Sequence, residues 1–378
     1  LNVWARDVAN VETKKKPVLV FFHGGRFQVA GPNSPFYNGQ YLAGVEDVIV
    51  VTSRSANAAL RDQQAAVEWV RENIPAFGGD PSRIVIFGQS AGGASFAWKD
   101  DPIVSGLIPM SGTSLSFLPN TAEWSQMLWY NVSQKIGCGG PNEDAAEVLS
   151  CVRSKDTATI LAAAGGVPDL PTQALTQATF HPRVDNITVF ADYEQLSAAG
   201  GFAKLPMLVG NTDQEDGWNR LGGFSANLNF TDAQWDLFSQ RGFTCPASYS
   251  AGYRLQYGVP TWRYRYHGDW HNLRMYNGSA GLSPRGSAAY HGSDLNMVYG
   301  TAADVSGSSN ICRGAWAAFA SDPVAGLNKY GWPSYAKTGK TLVQLALNNE
   351  ATPQFVDPAI YDAPCPEKND PLPAREAF

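Results

Sequence analysis

Charge is scarce in this chain: Asp, Glu, Lys and Arg make up 16% of its 378 residues, and 28 basic against 34 acidic side chains leave a net charge of −6. An acidic chain without a basic block has no electrostatic footprint for nucleic acid, which excludes that class of function. Long apolar runs are also missing. The strongest, Val18-Leu19-Val20-Phe21-Phe22, has the length of a buried strand and falls short of the roughly 18–20 residues that cross a bilayer, so no membrane partner is expected. Five cysteines are too few for a disulfide scaffold at this length. No charged-then-apolar leader precedes Leu1-Asn2-Val3-Trp4, which is itself strand-like, so a signal peptide is expected to lie outside this chain.

What is present suits a large packed core: 44% of residues are apolar and 12% aromatic, without the charge density of a disordered segment. Asn131, Asn186, Asn229 and Asn277 head Asn-x-Ser/Thr sequons, acceptor positions for N-glycans in a secreted chain. Together with Cys138 and Cys151, which flank a Gly-rich turn, they point to an oxidising, extracellular compartment. A pairing of Cys245 with Cys365 would leave Cys312 over, but spacing alone does not assign connectivity.

From Pro17 to Ser111, β-branched runs alternate with helical stretches, the pattern of a parallel sheet with crossover helices and hence an α/β fold. The runs are Val18–Phe22, Val48–Thr52, Ile84–Phe87 and Val104–Ile108. Between the second and third, Leu60 to Val70 places apolar residues at helical spacing, ending before Pro75. From Ser116 to about Gly200 the period turns helical and strands vanish, which reads as an insert or lid at 116–200 within one unit spanning 1–378. Apolar runs at Pro206–Val209 and Trp262–Tyr266 then resume the sheet. The tail after Pro364 reads as a surface strap.

Gly88-Gln89-Ser90-Ala91-Gly92 is a G-x-S-x-G between a strand and a helix-compatible segment, the context in which a sharp turn exposes a serine hydroxyl. Side chains in place of the flanking glycines would collide with the neighbouring strand and helix. Upstream, His23-Gly24-Gly25-Arg26 closes the strand Val18–Phe22 and resembles loops whose backbone N–H groups stabilise an oxyanion; with Ala91 N–H, the donors would be Gly24, Gly25 and Arg26. Arg26 stands where a third glycine is usual, so its side chain must leave the pocket by another route. A serine nucleophile needs a base, and there are five histidines. His23 belongs to the oxyanion loop and His181 precedes Pro182 in the insert. His267 and His271 share an H-x-x-x-H spacing that can hold zinc on a helix, but Gly268 and the missing Glu argue against that here, and no metal is expected. His291, late in the chain, is the best candidate by chain order. The acid that orients it should come from Asp213, Glu215 or Asp216, among which the residues themselves do not decide.

These segments resemble the type-B carboxylesterase family, the cholinesterase-like branch of the α/β-hydrolases, and its secreted fungal members in particular. The resemblance rests on Leu1-Asn2-Val3-Trp4, Phe22-His23-Gly24-Gly25, Leu60-Arg61-Asp62-Gln63-Gln64, Phe77-Gly78-Gly79-Asp80-Pro81, Gly88 to Gly93, Gly210-Asn211-Thr212 with Glu215, and Tyr290-His291-Gly292. It implies an α/β-hydrolase fold and a Ser90–Glu215–His291 triad. The implied activity is hydrolysis of small-molecule carboxylic esters through an acyl-enzyme, with no cofactor. It also implies a disulfide between Cys138 and Cys151. Against the family pattern, an N-terminal subdomain with a first Cys is absent. The joint Ser53-Arg54-Ser55-Ala56-Asn57 is short, and so is the stretch between Gly93 and Pro102. The nearest alternative is a triacylglycerol lipase. A non-catalytic esterase-like binding domain, or a truncated non-functional fragment, is the rival from another class. Aromatic segments Trp124–Tyr130 and Phe224–Trp235 could line an apolar acyl or alcohol pocket, although aromatics at helical spacing more often form core.

Overall fold

The computed structural model describes residues 1–6, 14–53, 57–94, 103–167, 179–225, 230–276, 287–302 and 306–367. Nine strands form one sheet: β1 (Asn2–Trp4), β2 (Lys16–Phe22), β3 (Ile49–Ser53), β4 (Gly79–Gln89), β5 (Gly106–Met110), β6 (Met207–Thr212), β7 (Thr261–Tyr266), β8 (Leu342–Leu345) and β9 (Gln354–Val356). Their spatial order is β1-β3-β2-β4-β5-β6-β7-β8-β9. The edge pairs β1–β3 and β8–β9 are antiparallel and all other pairs parallel. Helices cover both faces of this mostly parallel sheet, which is why β2 reads as continuous apolar text rather than as alternation.

Successive side chains of β2 and β4 go to opposite faces, and each set meets its own helix. Leu19, Phe21, Val85 and Phe87 pack with Trp316 and Phe319 of helix Ser306–Ser321. Val18, Val20, Ile84 and Ile86 pack with Val67 and Val70 of helix Asn57–Asn73. Each such burial is worth roughly 1.5–3 kcal/mol per side chain. The second helix gives way at Ile74 to a 3-10 turn with Pro75 at its start and ends on Gly78, whose left-handed φ of 81° closes the turn.

The strands predicted from apolar runs are present, with β5 starting at Gly106 rather than Val104 and β4 extending back to Gly79. The short strands β8 and β9 were not expected: a four-residue run at 342–345 is strand only because β7 supplies its hydrogen bonds. Residues 116–200 carry helices Ala122–Lys135, Ala145–Arg153, Thr157–Gly165 and Tyr193–Ala198. Each begins with an oxygen-bearing cap: the side chains of Thr121, Asp144, Asp156 and Asp192 accept from backbone N–H groups of the first turn. A disulfide joins Cys138 to Cys151, a second joins Cys245 to Cys365, and Cys312 is a buried thiol. The second ties the last described segment to helix Cys245–Gln256, where Pro366 O also accepts from the Tyr249 hydroxyl at 2.5 Å. Residues 54–56, 95–102 and 368–378, and with them both shortened joints and the end of the tail, lie outside the described residues.

Candidate active site

The parallel register sets the strand ends level: Gly88 of β4 faces Phe22 of β2 and Pro109 of β5. The segments that follow these strands therefore meet at one edge of the sheet, outside the carboxyl ends, where open α/β sheets place ligands. Ser90 takes φ 58°, a left-handed conformation unusual for a side-chain-bearing residue, and its N–H is held by Met110 O at 2.8 Å. The turn tolerates this because its neighbours lack side chains: a Cβ on Gly92 would strike the Phe22 carbonyl, and one on Gly112 would strike the Ser90 carbonyl. Ser90 is 5% exposed.

The oxyanion-type loop lies directly against this turn. A Cβ on Gly24 would fall 2.9 Å from Ser90 Cβ. Gly25, Arg26 and Phe27 all have positive φ, and Gln28 N–H and Val29 N–H close the loop on Gly25 O at 3.0 Å each. His23 is anchored through Nδ1 to Gly24 O at 2.6 Å. The Arg26 charge acts on His181, which is buried against the rings of Phe27 and Phe117. Burial, and then the Arg26 charge, push His181 down to about 3, so it is a neutral wall rather than a base.

The three candidate acids separate by partner. Glu215, fully buried, accepts from Thr212 N–H at 2.7 Å through Oε1 and meets His291 Nδ1 at 2.5 Å through Oε2. Asp213 turns instead to Arg265 Nε at 2.7 Å and His267 Nδ1 at 3.4 Å. Asp216 pairs with Arg220 and accepts from Ser239 Oγ at 2.9 Å. His271 is exposed and apart from His267. The acid turn and the histidine loop are stitched by backbone: Gln214 N–H donates to Ala289 O at 3.1 Å, beside a bridge of Gln214 with Tyr290.

Three further side chains shape the site. Gln89 Nε2 lies 2.9 Å from His291 Nε2; with Nδ1–H given to Glu215, Nε2 is the acceptor and the Gln89 amide donates to it. Among the described residues Ser90 Oγ makes no hydrogen bond to His291. Phe243, in the π-helical turn Gln240–Thr244, packs its ring 4.8 Å from the imidazole. Asp294 is fully buried one turn beyond His291, with Tyr264 OH donating to it at 2.8 Å. Burial pushes its carboxyl up to about 7, opposed by the Tyr264 bond and reinforced by the Glu215 charge. Gln89 occupies the unconstrained position of its motif, and Phe243 is far off in sequence, so neither announced itself; Asp294 was visible only as a neighbour of His291.

The aromatic segments are spent mainly on core, as their helical spacing suggests. Trp124 and Leu128 pack within the 116–200 helices, Trp129 and Tyr130 pack around the Cys138–Cys151 bridge, and Trp235 sits in a cluster with Phe117 and Phe238. The recess next to the oxyanion-type loop is lined by Phe27, Phe117 and His181, and it adjoins a second, larger recess through Ser114 and Tyr193. Helical spacing placed those aromatics in helices, and helices here spend them on their own cores.

The carboxylesterase family model matches residues 1–233, which contain Ser90 and Glu215 and stop short of His291. The chain belongs to the carboxylesterase family. It is a carboxylic-ester hydrolase by that membership. It is 30% identical to secreted lipase 5 of Gibberella zeae, over 93% of this chain and 72% of that protein. It is 29% identical to the chlorogenic acid esterase of Aspergillus niger, over 86% of this chain and 66% of that protein. A solved PNB esterase superposes with a TM-score of 0.74 at 25% identity, covering 94% of this chain and 81% of the other.

Proposed function

We propose that this chain is a secreted serine carboxylesterase working through an acyl-enzyme. Ser90 is the nucleophile, His291 the base and Glu215 the group that fixes the imidazole tautomer and stabilises its charged form. The observation that carries this reading is the Glu215–His291 contact at 2.5 Å, made at the sheet edge where Ser90 sits on its strained turn. For attack, the Ser90 hydroxyl must replace the Gln89 amide at His291 Nε2, so the described arrangement is a resting one. The proton then passes to Nε2 while Oγ bonds to the ester carbonyl carbon. Backbone N–H groups of Gly24, Gly25, Arg26 and Ala91 would meet the oxygen as it gains charge, each such donor being worth about 3 kcal/mol. The imidazolium returns its proton to the departing alcohol, and water repeats the sequence on the acyl group.

Secreted relatives, two disulfides and the sequons support an extracellular setting. Asn186 is exposed and Asn131 half-buried, and both would carry N-glycans; Asn229 and Asn277 lie outside the described residues. The chain acts as one α/β unit, with the 116–200 helices as its cover. Substrates are small esters; secreted-lipase relatives raise long-chain acylglycerols as a second reading. Labelling with a fluorophosphonate probe, located by tryptic mass spectrometry beside a short-chain nitrophenyl ester assay, tests this. The expected result is an adduct on Ser90 with turnover; folded protein with no adduct would overturn it. A jump in activity when the substrate becomes an emulsion would favour the lipase reading.

A further inference from the structure

The larger recess, about 600 Å³ including its open mouth, is bounded by Gly93, three residues after Ser90, and by Thr113 and Ser114, which follow the Gly112 that packs on Ser90. Arg254, from helix Cys245–Gln256, is among the residues that line it. Arg254 is 8% exposed, its Nε is buried without a hydrogen-bond partner, and no ion pair among the described residues includes it. Its near contact is the face of Phe202, 4.5 Å below the guanidinium carbon.

Other buried arginines among the described residues meet carboxylates. Arg263 pairs with Asp362, Arg265 with Asp213, and Arg220 with Asp216 and Asp232. Glu194, next to the recess-lining Tyr193, accepts from Tyr253 OH at 3.0 Å. Lys204, over the same Phe202 ring at 3.8 Å, adds a second cation. Burial holds the Arg254 guanidinium down to about 10, the mark of a desolvated charge with nothing opposite it. A buried guanidinium is a planar fork that matches a carboxylate in two hydrogen bonds, and leaving it unpaired disfavours the fold. Aromatic walls from Tyr193, Phe202 and Tyr253 suit an apolar body behind that carboxylate.

We propose that this recess is a binding subsite for a small carboxylate with an apolar body, with Arg254 as its bidentate donor. The consequence for turnover, a preference for esters that carry a free carboxylate away from the scissile bond, rests on the reading of Ser90 as nucleophile. The binding claim does not.

The test is calorimetric titration of the full chain, as Ser90→Ala, with 3-phenylpropionate and with its amide. The acid should bind at least about tenfold tighter than the amide, a difference of about 1.4 kcal/mol. Arg254→Met should erase that preference while melting at or above the parent temperature, because it removes an unpaired buried charge. Arg254→Lys should keep part of it. Equal binding of acid and amide, no binding of either, or a preference that survives Arg254→Met would overturn the proposal. So would a large loss of stability in Arg254→Met, which would make Arg254 a structural group. An acid preference in a protein whose Ser90 takes no fluorophosphonate would uphold this subsite while removing the catalytic reading.

Discussion

The acid turn and the Arg254 recess treat buried charge in opposite ways. Within four residues of the turn, Asp213, Glu215 and Asp216 are each matched to a different cation or imidazole, two of them to arginines that have little other exposure. In the recess one guanidinium, just as buried, has an aromatic face and no counter-ion. Satisfied buried charge holds a geometry, here the backbone seam between the acid turn and the histidine loop. Unsatisfied buried charge is a cost that a fold retains where a ligand can relieve it.

The comparison breaks most visibly at the nucleophile. Ser90→Ala should lower kcat for a nitrophenyl ester by at least about 10⁴-fold with the melting temperature held, since the hydroxyl itself supports no packing. Glu215→Gln keeps the shape of the turn but removes the charge that fixes His291, and kcat should fall on the order of 10³–10⁴-fold. A loss of less than tenfold would mean that Glu215 holds the loop rather than the imidazole.

Asp213→Ala removes the carboxylate opposite Arg265, which keeps its bonds to Thr244 Oγ1 and Asp213 O, and should cost about 1.5–3 kcal/mol in chemical denaturation. That Arg254→Met should cost nothing is the sharpest contrast between the two regions, and equal losses for both variants would dissolve it. A smaller effect belongs to Asp294. Its folded pKa, raised to about 7, lies above the ordinary carboxyl value of 3.8, so the native state keeps a proton that the unfolded chain has shed. Its contribution to stability is therefore present below pH 4 and lost as pH rises toward 7. Relative to Asp294→Asn, the parent should lose about 2 kcal/mol between pH 5 and 6.5. Parallel denaturation curves at both pH values would show that Asp294 is ionised throughout.

Much of the frame was legible in the text because its signals are local. Strands such as Val18–Phe22 are short apolar runs, the Ser90 turn is written in five consecutive residues, and the helix before Pro75 shows its period. The strands β8 and β9 were hidden because a short run becomes a strand only beside a partner already in place. The choice among Asp213, Glu215 and Asp216 was equally closed to spacing. Three carboxylates in one turn are chemically alike until β7 brings Arg265 and His267 to one of them and helix Asp216–Ser225 brings Arg220 to another. The aromatic segments could be placed in a core but not beside a given partner, because amphipathic spacing records that a face is buried, not what it is buried against.

By itself, then, the chain's text determined a parallel sheet, a strained serine turn, an oxyanion-type loop beside it and a late histidine, since each depends on residues within a few positions of one another. Tertiary structure alone decided which carboxylate meets His291, that Gln89 caps its Nε2 and Phe243 its face, and that Arg254 is left without a counter-ion. Those outcomes depend on distances between segments tens to hundreds of residues apart, which no local pattern encodes.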